Sequence, residues 1–186
     1  AVFEKYRFFF FSIFGVKNII MKKFLILFVF IFSSLISCTS EETKTTYYLI
    51  RHAEKDRTDA ANKDPNLNRK GLERAERWAD YFEKINLNAV YSTNYHRTMQ
   101  TAEPTAKSKQ LAINNYDPRD MYDSIFQNNT AGKTVLVVGH SNTTPIFVNN
   151  ILGEEKHKNM DDHDNASLYI VTITDGKKMS KIEKVE

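Results

Sequence analysis

Apolar residues follow three different patterns along the chain. The first is an unbroken run, Phe24–Phe32, inside an N-terminal stretch crowded with phenylalanine. The second is a set of short runs rich in β-branched and aromatic residues: Thr46–Ile50, Ala89–Tyr91, Thr134–Val138 and Ser167–Thr174. These read as strands, and the unalternating Thr134–Val138 predicts a strand buried on both faces. The third is spacing by three and four residues: Leu72, Ala75, Trp78, Ala79 and Phe82 predict a helix over Gly71–Ile85. His96–Lys107 and Thr144–Leu152 also read as helices, the second closed by Gly153. Leu111–Ile113 is a further short apolar stretch, Pro118–Gln127 a short helix, and Met179–Val185 a final edge strand. Asp56–Asn68, polar and carrying Pro65, reads as a loop. Strands that alternate with helices predict an α/β domain: a mostly parallel central sheet with helices on both faces, a three-layer α/β/α sandwich.

Charge divides the chain at the same place as the apolar run. Residues 1–37 hold ten of the 13 Phe, and five Lys/Arg against one Asp/Glu. Residues 38–186 carry 21 Lys/Arg against 22 Asp/Glu, so the formal +3 belongs to the leader. No basic domain remains to support nucleic-acid binding. From Met21, two lysines precede the apolar run and small residues follow it, the marks of a secretory signal. The run is too short for a transmembrane helix. Leu35-Ile36-Ser37-Cys38 resembles the lipobox of bacterial lipoproteins, which implies cleavage before Cys38, lipidation there and a membrane-tethered location in the cell envelope. On this reading residues 1–37 are upstream residues plus signal peptide, with Met21 the start, 38–45 are a tether and 46–186 the domain. One cysteine among 186 residues excludes a disulfide framework and a Cys-rich zinc site.

Ligands of open α/β sheets bind beyond the carboxyl ends of the strands. Arg51-His52 follows the first predicted strand, Arg97 opens a helix after Ala89–Tyr91 and its Ser92-Thr93 turn, and Gly139-His140-Ser141 follows Thr134–Val138. Two arginines and two histidines at one sheet edge suit a dianion. Guanidinium forks match phosphate oxygens, and imidazole is a competent nucleophile near neutral pH.

These residues also carry a resemblance. Tyr48-Leu49-Ile50-Arg51-His52-Ala53-Glu54 resembles the Arg-His-Gly signature of the histidine phosphatase superfamily, the phosphoglycerate mutase-like proteins. Tyr91–Ala102, with Ser92, Arg97 and Gln100-Thr101-Ala102, is similar to that family's second block, and Val137–Ser141 to its third. The resemblance spans nearly all of residues 46–175 and implies a phosphoglycerate mutase-like sandwich. It implies that His52 attacks phosphorus and becomes a phosphohistidine. Arg51, Arg97 and a protonated His140 then hold the phosphoryl oxygens, with no metal or other cofactor. The expected substrate is a small phosphomonoester.

Two positions depart from the family pattern. Its Gly is Ala53 here. Its acid, a Glu some twenty residues past the second-block arginine, has no counterpart; Asp117 is the first choice for proton donor, with Asp120 and Glu103 behind it. Glu54 and Lys55 stand close enough in sequence to touch substrate, although charged residues near strand ends mostly face water. Three alternatives stay open: a phospho-ligand-binding lipoprotein without turnover, a protein phosphohistidine phosphatase, and a serine esterase on Ser141. The half-match of Gly139–Thr143 to the esterase elbow lacks its last Gly.

Overall fold

The computed structural model describes residues 43–186. The leader, the cleavage site and Cys38 lie outside these residues. The tether gives way to structure earlier than expected, because β1 spans Lys44–Arg51. The elements that follow are α1 (Arg69–Phe82), β2 (Ala89–Ser92), α2 (His96–Ser108), β3 (Ile113–Asn115), α3 (Ser124–Thr130), β4 (Thr134–Gly139), α4 (Thr143–Leu152), β5 (Ser167–Thr174) and β6 (Lys177–Lys184).

The six strands form one sheet in the order β3-β2-β4-β1-β5-β6. The first four are mutually parallel, while β5 runs antiparallel to β1, and β6 to β5. The expected parallel sheet therefore ends in an antiparallel hairpin. Its two-residue turn, Asp175-Gly176, has φ of 49° and 78°, the left-handed pair that matches strand twist.

Side-chain alternation along the strands builds a core on each face. Tyr47 and Leu49 of β1 and Val135 and Val137 of β4 pack with Phe126 of α3 and Phe147, Val148 and Ile151 of α4. Ile50, Leu136 and Val138 point the other way, onto Trp78 and Phe82 of α1 and Ala102 and Ala106 of α2. Central strands buried on both faces need continuous apolar sequence, and β4 has it.

The helices differ from expectation in detail. The buried stripe of α1 is Gly71, Arg74, Ala75, Trp78 and Phe82, whereas Leu72 is exposed. Gly71 dictates this rotation: a Cβ there would stand 2.1 Å from the Glu54 carbonyl oxygen, so only glycine lets the helix approach the segment after His52. The short helix expected at Pro118–Gln127 lies instead at Ser124–Thr130. Asp123 starts it, its Oδ1 accepting from Phe126 N at 2.6 Å. Gly153 closes α4 with φ 77°, its N–H bonded to Asn149 O, as expected.

The chain leaves β1 toward β2 on one side and leaves β4 toward β5 on the other. The carboxyl ends of these adjacent strands form the topological switch point of the sheet.

Candidate active site

Backbone pairing delivers the first histidine. Arg51 pairs in register with Gly139, and His52 N donates to Gly139 O at 2.9 Å, so the last turn of β1 lies against the last turn of β4. Gly139 is required here too: a Cβ would meet Thr144 Oγ1 and Tyr116 Oη at 2.9 Å each. Two distant side chains lock the His52 backbone. Buried Asn165 donates to His52 O at 2.8 Å, and Ala53 N donates to Thr101 Oγ1 of α2 at 2.9 Å. Ala53 is fully buried, and neither it nor any neighbour needs positive φ. The departure from the family's glycine is therefore accommodated without strain.

The His52 ring is oriented by Ala53 O, 2.7 Å from Nδ1. A carbonyl only accepts, so Nδ1 carries the proton and Nε2 keeps its lone pair. Burial, and then the charges of Arg51, His140 and Arg97, push the imidazole down to about 3. His52 is therefore neutral across the physiological range.

His140 lies beside it, the two rings edge-on with centroids 5.5 Å apart. Thr93 Oγ1, at the end of β2, is 3.0 Å from His140 Nε2 and itself donates to Thr98 Oγ1. Arg97 Nη2 is 3.4 Å from His140 Nδ1 and can only donate. His140 thus donates from Nε2 and accepts at Nδ1, which is a neutral imidazole. Burial and the nearby Arg97, Arg51 and Lys55 push it down to about 4. In the ligand-free protein His140 is therefore neutral among these cations, and an arriving dianion would favour the protonation expected of it.

Both arginines are held by carboxylates. Arg51 is 2% exposed; its Nη2 contacts Asp162 Oδ1 at 2.7 Å and its Nη1 donates to Asp161 O at 2.9 Å. Arg97 pairs with Asp64 at 3.3 Å and stacks over the Tyr95 ring, 4.5 Å from its centroid. The Nε–H groups of both arginines are buried and have no acceptor among the described residues. Unpaired buried donors are costly, so the pair is short of an acceptor that an anion can supply.

The cavity that opens on Arg51 and His52 has a volume of about 560 Å³ and is also lined by Glu54, Lys55, Arg57, Lys70 and Asp162. Arg51, His52, Arg97 and His140 are thus brought together. The candidate acids are not. Asp117 is ion-paired to Arg119 at 2.6 Å, and those hydrogen bonds hold its carboxyl down at about 2, so it carries no proton to donate. Asp120 lines a separate cavity with Met121 and Tyr122, and Glu103 lines the groove between α1 and α2. Carboxylates nearer the histidines are all engaged: Asp64 by Arg97, Asp162 by Arg51 and Arg57, and Glu54 by Arg74. Asp64, Asp162, Asn165 and Thr101 escaped the sequence reading. Only Thr101 stood inside a recognisable block, and the others lie in segments without regular periodicity.

Residues 47–118 match the family model of the histidine phosphatase superfamily (branch 1). No curated protein matches the chain in sequence. Several solved structures share the fold at low identity. The protein histidine phosphatase SixA complexed with tungstate is 15% identical, with 75% of this chain and 96% of that one covered at a TM-score of 0.58. A phosphoglycerate mutase from Bacillus anthracis is 17% identical, covering 78% and 94% at 0.58. A phosphoserine phosphatase from Entamoeba histolytica, in complex with phosphoserine, is 14% identical, covering 76% and 97% at 0.57. The fold is phosphoglycerate mutase-like, and the match to the histidine phosphatase superfamily model takes in the first two sequence blocks.

Proposed function

We propose that the protein is a metal-independent phosphatase that hydrolyses small phosphomonoesters through a phosphohistidine on His52. The observation that carries this reading is the oriented, neutral imidazole of His52, with Nδ1–H on Ala53 O and Nε2 unprotonated, beside two arginines and a second histidine. In the first step the Nε2 lone pair attacks phosphorus in line, and the ester P–O bond breaks with its electrons leaving on oxygen. In the second, water attacks phosphorus, the P–N bond breaks, and inorganic phosphate leaves while Nε2 recovers its lone pair. Arg51, Arg97 and His140, protonated once the dianion is bound, stabilise the charge spread over the phosphoryl oxygens.

The carboxylates near the histidines are ion-paired or, for Asp56, hydrogen-bonded to backbone N–H, so substrates whose leaving group needs no proton react fastest. Turnover of p-nitrophenyl phosphate in the presence of EDTA, lost in His52→Ala, is the expected result; metal dependence or an unaffected variant overturns the reading. The same shortage of a free acid favours one second reading, a protein that binds phosphorylated ligands without turnover. Phosphate raising the melting temperature with no hydrolysis at any pH identifies that case.

We also propose a lipid tether at Cys38 to the cell envelope, supported by the sequence around that residue. Detergent-phase partitioning of the protein, abolished by Cys38→Ser, is the expected outcome.

A further inference from the structure

The charges around the His52 cavity are not evenly matched. Arg51 and Arg57 share Asp162, each at 2.7 Å. Arg97 has Asp64 at 3.3 Å, and Lys70, on the cavity wall, has Glu54 at 3.7 Å. Lys55 lines the same cavity, half-buried, and among the described residues has no carboxylate within ion-pair distance. The one acid that faces it is Asp162, already committed to the two arginines. Asp56 also lines the cavity, but its Oδ1 accepts from Thr58 N at 2.9 Å.

The backbone fixes this segment. Lys55 forms an isolated antiparallel bridge with Leu67, flanked by Asn68 N→Glu54 O at 2.9 Å and Asp56 N→Asn66 O at 2.8 Å. Glu54 and Lys55 both line the cavity, but both Glu54 oxygens meet Arg74 Nε of α1 at 3.0 Å, whereas Lys55 has no carboxylate partner among the described residues.

We propose that Lys55 is a fourth phosphoryl-holding residue: its ammonium completes the set of donors that Arg51, Arg97 and His140 begin. The proposal rests on the phosphatase reading for its catalytic part, but its binding part concerns the phosphoryl group alone. Around the cavity five cations, Arg51, Lys55, Arg57, Lys70 and Arg97, stand against four carboxylates, Glu54, Asp56, Asp64 and Asp162, and Lys55 is the cation without an ion-pair partner among the described residues. A phosphomonoester dianion supplies the missing counter-charge. Burial and the repulsion of Arg97 and Arg57 disfavour the Lys55 ammonium, and a bound dianion relieves that repulsion. An ammonium offers three rotatable donors on a flexible stem, so it can follow the phosphoryl group from the ester to the histidine.

The test measures inorganic phosphate binding by calorimetry, and kcat/KM for p-nitrophenyl phosphate, in the full chain. Lys55→Met is expected to weaken phosphate binding by about tenfold or more and to lower kcat/KM by about a hundredfold, in the range seen when a charge-stabilising donor is removed. Lys55→Arg should recover most of both. Lys70→Met removes the same charge from the same wall, but one that Glu54 compensates, and should change either quantity by less than about threefold. Without phosphate, Lys55→Met should melt no lower than the parent, because it removes an unpaired charge; a merely structural lysine gives the opposite sign.

Phosphate affinity unchanged in Lys55→Met, or Lys70→Met equal to Lys55→Met, overturns the proposal. So does a Lys55→Arg variant that binds phosphate normally yet loses only the hydrolysis of alkyl phosphates, since that identifies a proton donor. A parent protein that binds phosphate without hydrolysing any ester ends the phosphatase reading alone, and the affinity of Lys55→Met then decides the phosphoryl contact. A parent that does neither ends both.

Discussion

Two regions of the molecule present acidic and basic side chains at strand ends, and they are built in opposite ways. At the ends of β1 and β4, residues far away in sequence hold the cluster: Asn165 bonds the His52 backbone, and Arg51 is held by Asp162, Arg97 by Asp64 and His140 by Thr93. After β3, the Asp117–Asp123 turn is self-contained. Asp117 bonds Arg119 two residues on, and Asp123 caps its own helix. Long-range bonds fix a side chain relative to the whole fold, as positioning a reacting group demands. Local bonds shape a turn and need nothing beyond it. A charged residue near a strand end therefore signals chemistry only when distant elements converge on it.

The contrast breaks most sharply at His52. His52→Ala should lower kcat by a factor on the order of 10⁴ or more, since no other group in the cavity replaces the nucleophile. Pre-steady-state quench should find no acid-labile phosphoenzyme in that variant and a detectable one in the parent. Next in size is Arg97→Met, expected to cost about 10²–10³ in kcat/KM by removing one charge-stabilising fork. Arg51→Met should lose as much activity and also stability, by about 1–2 kcal/mol, read as roughly 3–6 °C in Tm, because the carbonyl and carboxylate partners at Asp161 and Asp162 lose their donor.

Acid titration sharpens the comparison through stability. The folded pKa values of His52 and His140, about 3 and about 4, lie below the ordinary 6.5. Between these limits the unfolded chain binds more protons than the folded one. The two histidines therefore cost no stability above pH 6.5 and an increasing amount as pH falls toward 4. Tm should drop over that window, phosphate should restore part of the loss, and His140→Asn should flatten the slope. Activity at pH 5 should persist, because a nucleophile at about 3 remains unprotonated there. The smallest effect belongs to the other region: Asp117→Asn should change kcat/KM by less than about twofold. A loss of about a hundredfold with alkyl esters and a much smaller one with p-nitrophenyl phosphate would return Asp117 to the role of acid.

Much of the fold was legible because its signals are local. The apolar Thr134–Val138 run marks a strand buried on both faces, and Gly153 marks the end of α4. The face of α1 was misread by one position, since Leu72 is apolar yet exposed, and Gly71 takes the contact that sets the helix rotation. The helix near residue 120 was misplaced because Asp123 is a stronger start than Pro118. The clustering of Arg51, His52, Arg97 and His140 was legible from their strand-end positions. The acid was not, because whether a carboxyl can hold a proton depends on which cation it meets.

By itself the sequence determined the order of the elements, the two-sided burial of β4, and the arrival of Arg51, His52, Arg97 and His140 at one edge of the sheet. Each of these follows from hydrophobic period and chain connectivity, which are written along the chain. Tertiary structure alone decided that His140 rests neutral, that Asp64 and Asp162 are each neutralised by an arginine, and that Lys55 lacks a carboxylate partner among the described residues. Protonation and pairing depend on distances of a few ångströms between residues tens of positions apart, and only the folded chain sets those distances.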